Sequence, residues 1–312
     1  MNLNISTALA NWIPYKLSFT DGVPYCEWMN TGDKDFTEPF FQETISRCRQ
    51  FNNNRYKCIS GIDLLPTWSN EVESVPPSAF IFHVSRCGST LATQLLAQDP
   101  TNIVLSEVPF FDEILRLGKN ISPQLLKDAI AFYAPVKNHR KRLFIKTDSW
   151  HIFFYKQIRE LYPQTPFILL YRRPDEVVRS QQKKRGMHAI PRVIEPALFG
   201  FNEEELQQMN LDEYIGAVLE KYFQAFLNIV EKDPLAIPVS YHEGPVAMVE
   251  KIAEISGTSI GPAEMEKIKS RTMYHAKYPH EVFAEEAIHD PVPDFCKAAY
   301  EKYETLEKMR NS

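Results

Sequence analysis

The chain has 312 residues, of which 44% are hydrophobic and 24% are charged, and its formal net charge at pH 7 is −5. This length suffices for one large domain, or for a domain with a smaller accessory region, and the composition is that of an ordinary globular protein. The negative net charge argues against a general nucleic-acid-binding protein. No apolar run approaches the ~18–20 residues that span a bilayer, so the sequence predicts no membrane span.

The five cysteines are odd in number and show no C-x-x-C spacing, which favours reduced thiols over a disulfide framework. The N-terminus, MNLNISTALANWIPYK, lacks a basic segment followed by an apolar one, which predicts that there is no secretory signal. Together these features predict a cytoplasmic protein. The eight histidines show neither H-x-H nor H-E-x-x-H spacing, and we expect no metal site.

Residues 1–75 are rich in aromatic and turn-forming residues and are followed by a proline pair. The pattern predicts a short hairpin-like piece and one helix over residues 42–51, with Leu64-Leu65-Pro66 as part of the connection to the rest of the chain. We therefore predict an accessory region over 1–75 and a main α/β domain over 76–312. Two roles stay open for the accessory region, namely packing against the core and substrate recognition.

The stretch from Ser78 to Leu96 combines an apolar run, a tight polar turn and a helical pattern. This order predicts a strand, a loop and a helix. The free N–H groups of the first helical turn and the helix dipole favour an anion in such a loop. The alternative is an ordinary strand-to-helix turn capped by a serine.

The turn, called the 85–90 loop below, consists of Ser85, Arg86, Cys87, Gly88, Ser89 and Thr90. Gly88 lets the backbone come close to a phosphate, and Arg86 supplies a planar group with a permanent charge. Ser89 and Thr90 supply hydroxyl donors. The loop therefore predicts a phosphate or sulfate site.

The loop departs from the NTP-binding motif G-x-x-x-x-G-K-[ST]. With Gly88 as its second glycine, His83 stands at the first glycine and Ser89 at the lysine, which argues against a triphosphate site with Mg²⁺. The arrangement R-x-G-S-T resembles the 5′-phosphosulfate loop of sulfotransferases, most closely the P-R-S-G-T-T of the tyrosylprotein and bacterial branches. The donor of that family is 3′-phosphoadenosine 5′-phosphosulfate (PAPS), and the resemblance implies that residues 86–90 bind it.

Glu107 follows the strand predicted over Asn102 to Leu105 and stands two residues before a proline. In open α/β folds, ligands bind at this end of the strands. In the tyrosylprotein branch, a glutamate at a closely similar distance from the loop arginine is the general base. The resemblance implies this role for Glu107, 21 residues after Arg86. The alternative is a charge that stabilises the helix predicted over residues 110–118.

Lys146-Thr147-Asp148 ends the strand predicted over Leu143 to Ile145. The tripeptide resembles the K-T-H of cytosolic sulfotransferases, in which the histidine is the base, but Asp148 stands at that position here. The identity of the base is therefore open between Glu107 and Asp148. A lysine near this place lies beside the transferring group in the tyrosylprotein branch, and the resemblance implies the same for Lys146. The alternative is a strand-end lysine paired with a surface carboxylate.

The apolar run from Phe167 to Tyr171 predicts a central parallel strand covered on both faces. Sulfotransferases carry, after the matching strand, an arginine and then a serine eight residues later that bind the 3′-phosphate. Arg172 and Ser180 have this spacing, and the fork of an arginine holds phosphate bidentately. Tyr241, after the strand predicted over 236–240, resembles the strand-end tyrosine that lies against the nucleotide; a buried core tyrosine is the alternative.

Two features lie outside these motifs. Residues 181–209 have weak periodicity and indicate a lid or acceptor-binding loop. The R-K-G-x-x-G-D-W signature of cytosolic sulfotransferases, which also contacts the 3′-phosphate, has no counterpart in this sequence. Arg271, Lys277 or a basic residue of this lid are open as replacements. Further helices are predicted over residues 121–134, 151–162, 211–230, 246–256 and 294–309.

The resemblance covers residues 78–256 and implies a P-loop-type α/β fold of three layers, in which helices flank a central parallel sheet. It implies a PAPS-dependent sulfotransferase that transfers a sulfuryl group to a hydroxyl or amine, with Arg86 and Lys146 stabilising the transferring group and with no metal. The expected acceptor is a small metabolite or glycan precursor. Two rivals stay open, a nucleotide-dependent kinase-like enzyme and an inactive nucleotide-binding module.

Overall fold

The computed structural model describes Leu9 and residues 11–118, 122–136, 139–274 and 291–311. Within these residues the strands form one three-stranded and one five-stranded sheet. The strands are β1 (Trp12–Thr20), β2 (Val23–Asn30), β3 (Cys58–Gly61), β4 (Pro77–His83), β5 (Asn102–Ser106), β6 (Arg142–Lys146), β7 (Phe167–Tyr171) and β8 (Ala236–Ser240).

The α-helices whose bounds are described lie between Phe41 and Arg310. They are α1 (Phe41–Cys48), α2 (Leu64–Ser69), α3 (Ser89–Leu96), α4 (Pro109–Arg116), α5 (Gln124–Tyr133), α6 (Tyr155–Leu161), α7 (Pro174–Lys183), α8 (Glu203–Gln208), α9 (Leu211–Val230), α10 (Pro245–Ile255), α11 (Pro262–Thr272) and α12 (Lys297–Arg310). None of these helices is both long and apolar enough to cross a membrane.

The five-stranded sheet has the order β5-β6-β4-β7-β8, with parallel pairing of β5 with β6, β4 with β7 and β7 with β8. Every residue of β7 is buried, as expected for a parallel strand covered on both faces. The prediction of an α/β fold with a central parallel sheet flanked by helices is confirmed. Each strand ends at or just before a predicted site residue: β4 before the 85–90 loop, β5 before Glu107, β6 at Lys146, β7 before Arg172 and β8 before Tyr241.

The chain forms two compact units by its internal contacts. Unit 1 comprises residues 1–79, 93–147 and 157–165, and unit 2 comprises residues 80–92, 148–156 and 166–312. These units group residues that contact one another, and they do not test the predicted boundary near residue 75, which stays a prediction.

Unit 1 contains the three-stranded antiparallel sheet, in which β1 and β2 pair across the turn Asp21-Gly22. The predicted hairpin-like piece and helix are thus present. The sequence did not predict β3, and Leu64-Leu65-Pro66 begins helix α2 instead of forming a plain connection. A proline is tolerated there because the N–H groups of a first helical turn have no partner within the helix.

Aromatic side chains of residues 1–75 pack inside unit 1. The Trp28 ring lies 4.9 Å from the Phe132 ring of α5 and 5.5 Å from the Trp68 ring of α2, measured between centroids. Trp28 also donates a hydrogen bond to Ser60 of β3 at 2.9 Å. A packing role for the accessory region is therefore present, and a recognition role stays a prediction.

Unit 2 has a core around α9, which packs against α12. The predicted bounds of α9 agree with the structure, and an Asn210–Glu213 capping box begins the helix.

The helix predicted over 151–162 differs, because a 3-10 turn over Ser149–Phe154 precedes α6. The helices predicted over 121–134, 246–256 and 294–309 correspond to α5, α10 and α12, with bounds that agree within a few residues. Ile121, the first residue of the helix predicted over 121–134, lies outside the described residues.

Candidate functional site

The 85–90 loop connects β4 to α3, which confirms the predicted strand, loop and helix. Ser85 and Arg86 both have left-handed backbone angles, with φ of 65° and 50°, and Gly88 has a φ of 79°. For residues other than glycine this conformation costs about 1–2 kcal/mol. The Ser85 N–H donates to Nδ1 of His83 at 3.0 Å, which fixes the start of the loop.

Side chains of the loop point in different directions. The Cys87 side chain is buried, and its thiol donates to the Leu170 carbonyl at 3.4 Å, so a role of Cys87 in ligand binding would use its backbone N–H. Ser89 and Thr90 are buried in the first turn of α3. Arg86 is half-buried and its guanidinium donates to the Lys184 carbonyl.

Tyr241 lies directly against the loop. A Cβ placed on Gly88 would come within 2.8 and 2.9 Å of two carbons of the Tyr241 ring. The Arg172 guanidinium lies over the same ring, 4.3 Å from its centroid, which is a cation–π contact. Three predicted nucleotide-binding elements, which are far apart in the chain, thus meet at one place in unit 2.

The Gly88→Ala variant is expected to unfold more easily, by about 1–3 kcal/mol, because an alanine resists the left-handed backbone and its Cβ would collide with Tyr241. Denaturant unfolding measures this cost. Gly257→Ala is the matched control, because Gly257 has a φ of 69° and nothing within 4 Å of its added Cβ. Equal losses in the two variants would show that the approach of Tyr241 does not constrain position 88.

Arg172 is oriented by a carboxylate on the next helix. Its Nε donates to Oε2 of Glu176 at 2.6 Å, and both side chains are largely buried. His242 lies 3.4 Å from the same carboxylate. The sequence prediction missed Glu176, although an arginine and a glutamate four residues apart at a helix start are a recognisable pair. Ser180, the second predicted 3′-phosphate residue, is half-buried on α7 as expected.

The neighbouring Arg173 donates to a different carboxylate, that of Asp175, and its Nε also lies 3.7 Å from Oε1 of Glu176. Asp175 is buried, and its carboxylate accepts from Arg173 at 2.8 Å and from Arg179 at 2.7 Å. Burial alone would raise the pKa of Asp175, but these hydrogen bonds and charges outweigh it and hold the pKa below its ordinary value. Arg173 therefore anchors the start of α7, whereas Arg172 reaches the ring beside the loop.

Glu107 and Lys146 form an ion pair in unit 1, with 2.7 Å between Oε1 and Nζ. The Lys146 side chain is fully buried, whereas the Glu107 side chain is 23% exposed. The Glu107 backbone is left-handed, with a φ of 54°, and its N–H donates to the Lys146 carbonyl at 2.8 Å. A partner of Lys146 is thus another predicted catalytic residue, Glu107. A buried pair gives little net stability, and a strained backbone marks functional sites.

Asp148, the alternative base, caps the 3-10 turn over Ser149–Phe154 in unit 2. Its N–H donates to Nδ1 of His151 at 3.3 Å, and its carboxylate lies 3.6 Å from Nε2 of that ring. Asp148 is also more buried than Glu107. A general base has to reach the proton that it removes, so this geometry favours Glu107.

Arg271, a predicted replacement for the missing 3′-phosphate signature, donates to the Tyr274 carbonyl at 3.1 Å. Burial lowers the pKa of its guanidinium. The contact with Tyr274 indicates no phosphate-binding role for Arg271. Lys277, the other named candidate, lies outside the described residues.

No family model and no curated protein matches the chain. Solved bacterial sulfotransferases are similar to it. The sulfotransferase from Alicyclobacillus acidocaldarius is 16% identical, with 63% of this chain and 91% of that chain covered and a TM-score of 0.40. Sulfotransferase STF9 from Mycobacterium avium is 13% identical, with coverages of 77% and 76% and a TM-score of 0.48. The sulfotransferase domain from the curacin biosynthetic pathway is 17% identical, with coverages of 74% and 99% and a TM-score of 0.47.

Proposed function

We propose that the protein is a sulfotransferase that moves a sulfuryl group from PAPS to a hydroxyl or amine. The observation that supports this most is the meeting of the 85–90 loop, Arg172 and Tyr241 in unit 2. The sequence assigned them separately to the 5′-phosphosulfate, the 3′-phosphate and the adenine side of one nucleotide. Their contact fits a single ligand that carries all three groups.

In this proposal the donor is held mostly by positive groups and backbone N–H groups. The first turn of α3 and residues 86–90 hold the 5′-phosphosulfate, because helix N-termini favour anions. Arg172 and Ser180 hold the 3′-phosphate, and Tyr241 lies on the adenine side. Arg86 and Arg172 offset the negative charge of the donor's phosphates, so the proposed chemistry calls for no metal.

In the transfer step, the acceptor oxygen or nitrogen forms a bond to sulfur while the bond from sulfur to the bridging oxygen breaks. The electron pair leaves with the bridging oxygen, which becomes part of adenosine 3′,5′-bisphosphate. Arg86 and Lys146 stabilise the growing negative charge, and Glu107 takes the acceptor's proton. Such a step depends on positioning and charge stabilisation, as phosphoryl transfer does. For the acceptor we propose a small metabolite or a glycan precursor, met in the cytoplasm.

Calorimetric titration with adenosine 3′,5′-bisphosphate, compared with ATP plus Mg²⁺, tests the donor. We expect the bisphosphate to bind and ATP with Mg²⁺ to bind weakly, because the 85–90 loop lacks the lysine of a triphosphate site. Binding of ATP with Mg²⁺ without the bisphosphate would favour the kinase-like rival. Binding of the bisphosphate without transfer from radiolabelled PAPS to any phenol, sugar or amine would favour an inactive binding module.

A further inference from the structure

A network of buried and partly buried hydrogen bonds begins at Ser85 of the 85–90 loop. Its centre is Gln181 on α7, whose side chain is fully buried. The Gln181 amide oxygen accepts from the Gly186 N–H at 2.8 Å. Its amide nitrogen lies 3.3 Å from the Ser85 hydroxyl and 3.1 Å from Nε2 of His188. One side chain therefore connects the loop to the segment that follows α7.

The direction of these bonds follows from their chemistry. A backbone N–H can only donate, so the amide oxygen of Gln181 must face Gly186 and its NH₂ must face Ser85 and His188. Nε2 of His188 then accepts, which leaves the ring proton on Nδ1, 3.4 Å from the Ser149 hydroxyl.

The hydrogen-bond network continues beyond His188. Ser149 also accepts from the Tyr222 hydroxyl at 3.2 Å. Burial raises the pKa of Tyr222, so this hydroxyl stays protonated and donates. Each of these side chains therefore has at least one hydrogen-bond partner within the network, and such bonds favour one arrangement of the elements that carry them.

The segment after α7 has a second contact with the loop, because the Arg86 guanidinium donates to the Lys184 carbonyl. Two adjacent loop residues are thus joined to one stretch, Ser85 through Gln181 and Arg86 directly. Ser85 and Arg86 are also the non-glycine residues of the loop with a left-handed backbone. A strained conformation persists only where its surroundings hold it.

We propose that Gln181 is a positioning residue that holds Ser85, and through it the 85–90 loop, in the conformation that binds the donor's 5′-phosphate. This inference rests on the proposed function. Gln181 acts through Ser85 and not by touching the ligand.

The test uses Gln181→Met, which keeps the length of the side chain and removes both the oxygen and the nitrogen of its amide group. The dissociation constants for adenosine 3′,5′-bisphosphate and for adenosine 3′-monophosphate are measured, since only the first carries a 5′-phosphate. We expect about three- to tenfold weaker binding of the bisphosphate, the usual size of one lost hydrogen bond or two, with no change for the monophosphate. The control is Gln182→Met on the same helix, whose exposed amide donates to Asp212 and not to the loop; it should change neither constant.

A purely structural role of Gln181 would weaken both ligands equally or neither, and either result would overturn the inference. Ser85→Ala removes the same bond from the other side and should give the same selective loss, without a further loss in the double variant. It also provides the test if Gln181→Met does not fold. Failure of the wild-type protein to bind the bisphosphate would count against the proposed function, whereas unchanged selectivity in the variants counts against Gln181 alone.

Discussion

Glu107→Gln is expected to lower the rate of sulfuryl transfer by about 10²–10⁴-fold, with little change in the affinity for adenosine 3′,5′-bisphosphate. Glutamine still accepts a hydrogen bond from the buried Lys146 ammonium, but it cannot take a proton from the acceptor. The rate is measured with radiolabelled PAPS and a phenol, sugar or amine to which the wild-type protein transfers the label, and the affinity is measured by calorimetry.

Asp148→Asn is the matched control, because it makes the same change at the other candidate base. We expect a much smaller effect on the rate. Loss of activity in Asp148→Asn together with an active Glu107→Gln would reverse the assignment of the base. Unfolding is measured for both variants, since Lys146 is fully buried and its loss of a charged partner is expected to cost about 1–3 kcal/mol of stability.

Arg172→Ala is expected to weaken binding of the bisphosphate by roughly 10- to 150-fold, which corresponds to about 1.5–3 kcal/mol for hydrogen bonds to a charged group. The substitution also removes a cation beside Glu176, and the remaining carboxylate then disfavours a nearby phosphate. Arg172→Lys keeps the charge without the planar fork and should lie between alanine and wild type. Calorimetry measures all three proteins.

Arg47→Ala is the control for this experiment. Arg47 also pairs with a glutamate, Glu38, at 3.0 Å, but the Arg47 side chain is exposed and belongs to none of the predicted nucleotide-binding elements. We expect binding of the bisphosphate to be unchanged in this variant. If Arg47→Ala weakens binding as much as Arg172→Ala does, the effect reports the loss of any positive charge from the protein and not a 3′-phosphate contact.

Much of the fold is predictable because its signals are local. The continuous apolar run of β7 and the amphipathic pattern of α9 give the observed bounds of both elements. The change from apolar run to polar turn to helical pattern likewise locates the 85–90 loop between β4 and α3. Each of these signals lies within one short stretch of chain.

The missed features depend on residues that are distant in sequence. Strand β3 is short and is recognisable only by its pairing with β2. The two adjacent arginines after β7 are alike in the sequence. Only the structure shows that Arg172 lies over the ring of the distant Tyr241, whereas Arg173 donates to the nearby Asp175. The close approach of Tyr241 to Gly88 joins positions more than 150 residues apart, which no local pattern indicates.

Three of the six described non-glycine residues with positive φ are Ser85 and Arg86 of the 85–90 loop and Glu107, the proposed base. Replacement by glycine at such positions relieves backbone strain. Selection for heat resistance alone would therefore favour glycine at these positions. The side chains that the proposed chemistry uses would then be among the first to be lost. A descendant that has kept the parallel sheet but lost its activity is expected to carry its substitutions here and not in the buried strands.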